Sequence, residues 1–353
     1  MSEKVLMKGN EAIAEAAIRA GCRHFFGYPI TPQTELAAYM ARRMPKVGGV
    51  YMQAESEIAA INMVIGASAA GVRALTSSSS PGIALKSEGL SYLAGCDLPA
   101  VLVNVQRGGP GLGGIQPSQA DYFHATRSTG HGDFHLIVLA PGGVQEMLDF
   151  TTLAFDMADK YRMTVMLLAD GILGQMMEPV AFGDDTVPSV AKPWAVGGVR
   201  GNRARNIVNS LYLEPEELER LNFSRFERYA EIEKAEQRFE GFMLDDAEIV
   251  VTAYGASARI ARNAIVAARE KGIKAGLLRP ITLWPFPKAA FAATLPRAKA
   301  YISVEMSMGQ MIQDIELAVR CARPVLLCNR TGGVVPTPEQ ILGKIEEAEE
   351  MSR

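Results

Sequence analysis

The sequence predicts an α/β protein made of two parallel-sheet units joined by a charged, proline-rich connector, and three observations carry that prediction. Short apolar runs alternate with helix-period segments over residues 1–178 and again over 246–353. Several of those runs, at 101–105 and 249–254 for example, are continuously apolar, as strands covered by helices on both faces are. Between them, residues 179–245 hold Pro179, Pro188 and Pro193 and then a stretch dense in charge from 214 to 237, which reads as a linker with one or two solvated helices.

Taken in order, residues 9–20 place Ala12, Ile13, Ala16 and Ala17 at helical spacing and stop at Gly21, a glycine C-cap. A strand over 24–28 runs into Pro29-Ile30-Thr31-Pro32, where two prolines fix the backbone and hold off a helix until about Gln33. Rigid loops at strand ends are where α/β folds place ligand contacts. The alternation continues with a helix at 34–44, a strand at 50–53, a helix from Ser56 to Ala70, a strand at 73–77, a helix at 82–94 and a strand at 101–105. A Gly- and Pro-rich loop over 107–118, a strand at 136–139, a helix at 144–158 and a strand at 164–168 complete the first unit. The second begins with a strand at 249–254, a turn at Gly255 and a helix at 258–271. A strand at 275–278, a stiff proline-pinned loop at 279–287 and strands at 300–304 and 324–328 complete it.

Composition bounds the function. The 353 residues are 48% apolar and 21% charged, enough for two cores, and length favours two domains. A net charge of -3 offers no electrostatic reason to expect nucleic acid or an anionic membrane as partner. No apolar run approaches the roughly 20 residues that span a bilayer, and Met1-Ser2-Glu3-Lys4 lacks signal-peptide character, so a cytoplasmic protein is expected. Cys22, Cys96, Cys321 and Cys328 are scattered without C-x-x-C, which points to plain buried thiols and away from disulfides, zinc or iron–sulfur ligation.

Several motifs compete for the chemistry. Gly109-Pro110-Gly111-Leu112-Gly113-Gly114 satisfies G-x-G-x-x-G, but Gln116-Pro117-Ser118 comes next where a dinucleotide site opens a helix, so a nicotinamide reading is disfavoured. Thr76-Ser77-Ser78-Ser79-Ser80-Pro81-Gly82 lacks G-x-S-x-G spacing and reads as a hydroxyl-rich helix start able to receive an anion. Glu55 and Glu57 stand where a short strand delivers them to an Ala-rich helix. Acids at a helix start are favoured by the macrodipole alone, so position does not separate the two.

Gly27-Tyr28-Pro29-Ile30-Thr31-Pro32, Glu55-Ser56-Glu57-Ile58-Ala59-Ala60, Thr76-Ser77-Ser78, Val105-Gln106-Arg107 and Arg279-Pro280-Ile281-Thr282-Leu283-Trp284-Pro285-Phe286-Pro287 together resemble the α-type subunit of the 2-oxoacid:ferredoxin oxidoreductases. The resemblance covers nearly the whole chain. Through residues 106–113 and 117–123 it is most similar to the branched-chain, 2-oxoisovalerate type, then to the 2-oxoglutarate type. It implies a pyrimidine-type thiamine diphosphate-binding domain followed by a transketolase C-terminal-like α/β domain. It also implies that Glu57 serves the cofactor's aminopyrimidine ring, a task that requires a desolvated carboxyl. By the same resemblance Thr31 and Arg107 meet the substrate carboxylate, Arg through its planar fork. Tyr28 and Ile30 wall the pocket, and Tyr28 and Pro29 lie on its cofactor side. His131-Gly132-Asp133 is left without a role.

The implied reaction is oxidative decarboxylation of a 2-oxo acid with coenzyme A, giving an acyl-CoA, carbon dioxide and reduced ferredoxin. Pyruvate or 2-oxoglutarate is the alternative substrate, and a non-catalytic scaffold subunit the alternative role. The chain departs from a complete thiamine diphosphate enzyme in one respect. Ala169-Asp170-Gly171 with Asn202 and Asn206 lacks the first glycine of the G-D-G…N element that holds magnesium pyrophosphate. Asp170 is therefore expected to shape a loop. The cofactor is expected to be shared with a β-type subunit, with Mg2+ and 4Fe-4S clusters on partner chains that include a γ-type subunit and a ferredoxin-like subunit.

Overall fold

The computed structural model of the chain describes residues 4–127, 129–183, 190–198 and 204–352. Pro188 and Asn202 lie outside the described residues. The first sheet has seven strands in the order Thr282–Trp284, Ile137–Leu139, Thr164–Asp170, Ala100–Gln106, Ala74–Ser78, His24–Gly27 and Val50–Gln53. All pair parallel except Thr282–Trp284. The central strands are buried along their whole length, which explains why they read as continuous apolar runs.

The second sheet has five strands in the order Val325–Asn329, Ala300–Glu305, Ile249–Ala253, Ala275–Pro280 and Phe239–Phe242, the last antiparallel. Helices Gly255–Glu270 and Pro338–Met351 pack on it around their own apolar cluster.

Tertiary pairing corrects the element list in four places. The segment read as a stiff loop at 279–287 contains Thr282–Trp284, which leaves the second unit to pair antiparallel with Ile137–Leu139 at the edge of the first sheet. Three residues are too few to show a period, so only the partner strand makes them a strand. Lys4–Lys8 and Met177–Ala181 likewise pair as a two-stranded ribbon, in which Pro179 is tolerated because neither strand has a second neighbour. The helix expected over 82–94 is two helices, Ser80–Leu85 and Ser87–Gly95, that meet at Lys86. The charged stretch forms one helix, Pro215–Ala235, that is not solvated all round. It buries Tyr229 and Ile232, and Tyr229 meets His135 and Trp284 edge-on.

The loop at 107–118 does not open a helix. It turns back on itself through the bridge between Arg107 and Pro117 and the bond from Gly108 N–H to the Gln116 carbonyl. At Gly113 a Cβ would sit 1.9 Å from the Gly108 oxygen, so the turn itself requires a glycine there. Gln119, at its end, ties the two units together. Its amide donates to the Tyr254 carbonyl at 2.8 Å, and its oxygen accepts from Ser257 Oγ at 2.8 Å and Met306 N–H at 3.0 Å.

Candidate active site

The helix Glu57–Ala69 starts where it does because the Ser56 hydroxyl accepts the Ala59 N–H at 3.2 Å, as an N-cap does. That cap places Glu57 on the first turn facing inward, only 5% exposed, while Glu55, still in the preceding loop, is exposed. Burial thus separates two acids that position alone leaves equivalent.

The Glu57 carboxylate lies against the end of the strand Ala74–Ser78 and the start of the helix Ser80–Leu85. Glu57 Oε1 is 3.5 Å from Ser78 Oγ. A Cβ added at Gly82 would stand 2.4 Å from the same oxygen and 2.1 Å from Ser78 Oγ, so the absence of a side chain at 82 makes the space that the carboxylate occupies. The hydroxyl-rich segment is ordered around it. Ser77 Oγ donates to Gln33 Oε1 at 2.7 Å, and Ser80 Oγ donates to Asp121 Oδ2 at 2.6 Å. Asp121 also accepts from Asn104 Nδ2 at 2.8 Å.

The Pro29–Pro32 loop is held from below by residues without a sequence signal. Asn10 Nδ2 and Gln175 Nε2 both donate to the Pro32 carbonyl, at 2.8 and 3.2 Å. Gln33, fully buried, donates to the Tyr28 carbonyl and so links this loop to Ser77. Motif reasoning misses Gln33 because a lone glutamine after a proline belongs to no pattern. Thr31 and Arg107 come together: Arg107 Nη1 donates to the Thr31 carbonyl at 3.0 Å and Nη2 to the Leu112 carbonyl at 3.2 Å. Arg107 is largely buried, and its Nε is without a hydrogen-bond partner. Tyr28, Pro29 and Thr31 are exposed and Ile30 half-buried. His131 is also exposed, in a loop held by the bond from Ser91 Oγ to its carbonyl.

Asp170 is a structural residue. Its Oδ1 accepts the N–H groups of Ile172 and Leu173 at 3.0 and 3.1 Å, capping the helix Gly171–Gln175, and its Oδ2 accepts Ala256 N–H at 3.1 Å from the second unit. Burial raises its pKa and those three amides oppose the rise. Both oxygens are engaged by backbone amides.

The fold is an α/β one, and its class is that of the thiamine diphosphate-binding domain of the ferredoxin oxidoreductases. A family profile described as pyruvate flavodoxin/ferredoxin oxidoreductase, thiamine diphosphate-binding, matches residues 15–231, and one described as pyruvate:ferredoxin oxidoreductase core domain II matches residues 247–341. The ketoisovalerate oxidoreductase subunit VorB of Methanothermobacter marburgensis is 51% identical over 345 residues, 97% of each chain. The 2-oxoglutarate synthase subunit KorA of Methanothermobacter thermautotrophicus is 37% identical over 98% of this chain and 99% of its own. Among solved structures, 2-oxoglutarate:ferredoxin oxidoreductase from Magnetococcus marinus, with 2-oxoglutarate, coenzyme A and succinyl-CoA bound, superposes with a TM-score of 0.87 at 29% identity. That match covers 98% of this chain and 65% of the other. A split-gene transketolase in an inactive β4 tetramer shares the fold, at TM-score 0.58 and 11% identity over the full length of both chains. The chain belongs to the 2-oxoacid:ferredoxin oxidoreductase family, as a subunit. No helix among the described residues is long and apolar enough to cross a membrane.

Proposed function

We propose that this chain is the pyrimidine-side subunit of a complex that decarboxylates 2-oxoisovalerate oxidatively, joins the acyl group to coenzyme A and passes the electrons to ferredoxin. The observation that carries the reading is the Glu57 carboxylate, buried at a helix start in space left by Gly82 and beside the Ser78 hydroxyl. That donor set suits a heteroaromatic ring with a protonatable nitrogen. Bound there, thiamine diphosphate supplies a carbon nucleophile and an electron sink. Glu57 holds and shares the proton at the ring nitrogen, and Tyr28 and Pro29 border the ring. Thr31 and Arg107 orient the carboxylate of the 2-oxo acid, for which the Arg107 guanidinium is already fixed by the Thr31 and Leu112 carbonyls. Ile30 closes the apolar side of the pocket.

A partner chain completes the site. Tyr28, Met52 and Ile58, all exposed, lie on the segments that carry the Pro29–Pro32 loop and Glu57 and present apolar surface of the kind a protein partner covers. A β-type subunit fits there and brings Mg2+ for the diphosphate, since Asp170 is committed to backbone amides. The 4Fe-4S clusters reside on a ferredoxin-like subunit, and a γ-type subunit completes the assembly. We divide the chain at 178 and 246, with the intervening segment as connector. Four free thiols support a reducing, cytoplasmic compartment. The 51% identity to a ketoisovalerate oxidoreductase subunit, against 37% to a 2-oxoglutarate synthase subunit, favours the branched substrate.

The test is the reconstituted complex with Glu57→Gln. Turnover with 2-oxoisovalerate is expected to fall about 10²–10⁴-fold, the range for loss of a general acid–base group. Turnover within a few-fold of the parent complex would remove Glu57 from the role. Comparing kcat/KM for 2-oxoisovalerate, pyruvate and 2-oxoglutarate decides the substrate, and a preference for either of the last two would overturn that part of the assignment.

A further inference from the structure

Lys86 is a fully buried lysine that none of the roles above uses. It occupies the junction between the helices Ser80–Leu85 and Ser87–Gly95. Its Nζ donates one hydrogen bond, to Thr76 Oγ1 at 2.8 Å. Lys86 forms no ion pair with a carboxylate among the described residues. Burying an ammonium with a single hydroxyl partner opposes folding. Methionine would fill a similar volume without that cost, so packing gives no reason for a lysine here.

Its placement does give a reason. Thr76 and Ser78 are two residues apart on one strand, so their side chains leave the same face about 7 Å apart. Thr76 receives Lys86, and Ser78 stands 3.5 Å from Glu57. One face of the strand therefore meets the buried Lys86 amine at Thr76 and the buried Glu57 carboxyl at Ser78. Burial pulls the Lys86 ammonium down to about 7, and the charge of Glu57 opposes the fall. The other titratable groups on neighbouring elements are engaged elsewhere. Asp121 accepts from Ser80 and Asn104, His124 Nε2 is 3.1 Å from Ser87 Oγ, Arg107 donates to two carbonyls, and Glu88 accepts from Tyr92.

We infer that Lys86 is a positioning residue, the buried counter-charge that acts through space, across Thr76 and Ser78, to hold the Glu57 carboxylate. The catalytic consequence rests on Glu57 being the cofactor's carboxylate; the electrostatic pairing does not.

The experiment tracks the carboxylic acid carbonyl band of Glu57 by isotope-edited infrared spectroscopy in the cofactor-free complex, assigned by its loss in Glu57→Gln. Lys86→Met and Lys86→Gln both remove the charge, and Lys86→Gln keeps a donor for Thr76, which guards against a folding defect. In both variants the pH of half-protonation of Glu57 is expected to rise by about one unit, because a nearby opposite charge is lost. The acidic limb of kcat/KM in the loaded complex should move in the same direction by a similar amount. Half-protonation unchanged in both variants, or restored to the parent value in Lys86→Gln, overturns the proposal in favour of a structural lysine. An infrared shift with an unmoved kcat/KM profile upholds the pairing and counts instead against Glu57 as the working carboxylate.

Discussion

Gly82→Ala is the smallest change that tests whether the position of the Glu57 carboxylate matters. The backbone at Gly82 is ordinary helix, outside the left-handed region, so alanine is not strained by its φ. Its only effect is steric. The new methyl would lie 2.4 Å from Glu57 Oε1 and 2.1 Å from Ser78 Oγ. Restoring an ordinary contact of about 3.4 Å moves the carboxylate oxygen by the difference, about 1 Å, and forces Ser78 to turn in a buried site. Overpacking of this size costs about 1–3 kcal/mol of stability, which a large α/β subunit survives. A displacement of about 1 Å at a reacting group costs on the order of 10²-fold in rate. The expected outcome is an assembled complex whose melting temperature drops by a few degrees while 2-oxo acid-dependent reduction of ferredoxin falls about 100-fold. A Gly82→Ala complex with near-parental turnover would refute the claim that this cavity sets the carboxylate. A complex that fails to assemble would refute the claim that the strain is local.

Two further outcomes concern stability. Glu305 is fully buried and accepts from Ser303 Oγ, Ser307 Oγ and the N–H groups of Gln310, Met311 and Ile312, at 2.6–3.1 Å, so its carboxylate caps the helix Met311–Ala318 from inside the core. Glu305→Ala should cost about 3–5 kcal/mol in a urea titration and Glu305→Gln less, since an amide oxygen still accepts; equal losses would contradict this reading. His135 stacks on Trp284 at 4.6 Å, and burial lowers its pKa. The unfolded chain therefore takes up the proton first, near the usual value of about 6.5, so stability held above that pH is lost as pH falls below it. Tryptophan emission should report a lower urea midpoint at about pH 5.5 than at about pH 7.5, and His135→Phe should shrink that difference, the remainder coming from His24 and His124, whose pKa values burial also lowers. An unchanged midpoint in the parent chain would sink the argument.

The alternation of apolar runs and amphipathic helices was legible in sequence because the central strands Ala74–Ser78, Ala100–Gln106 and Thr164–Asp170 are buried along their whole length, a local pattern with a local cause. The rejection of the glycine loop as a dinucleotide site was legible for a similar reason, because the residues just after Gly114 already show that no helix opens there. Glu55 and Glu57 show where that legibility stops. Both are acids beside one N-cap, and only the packing of Gly82 and Ser78 against the first turn buries one and leaves the other in solvent.

Sequence by itself determined the two α/β units, the Pro29–Pro32 loop and the short set of residues from which a site could be assembled, since propensity and periodicity act over a few residues at a time. Tertiary structure alone decided that Thr282–Trp284 closes the first sheet, that Gln33 joins the Pro29–Pro32 loop to Ser77, and that Lys86 lies on the same strand face as Glu57. Lys86 and Thr76 are 10 positions apart and Gln33 and Ser77 are 44 apart, and at such separations residue identity carries no record of the partner. The partner is chosen by which faces of strands and helices are left to meet when the apolar surface is buried.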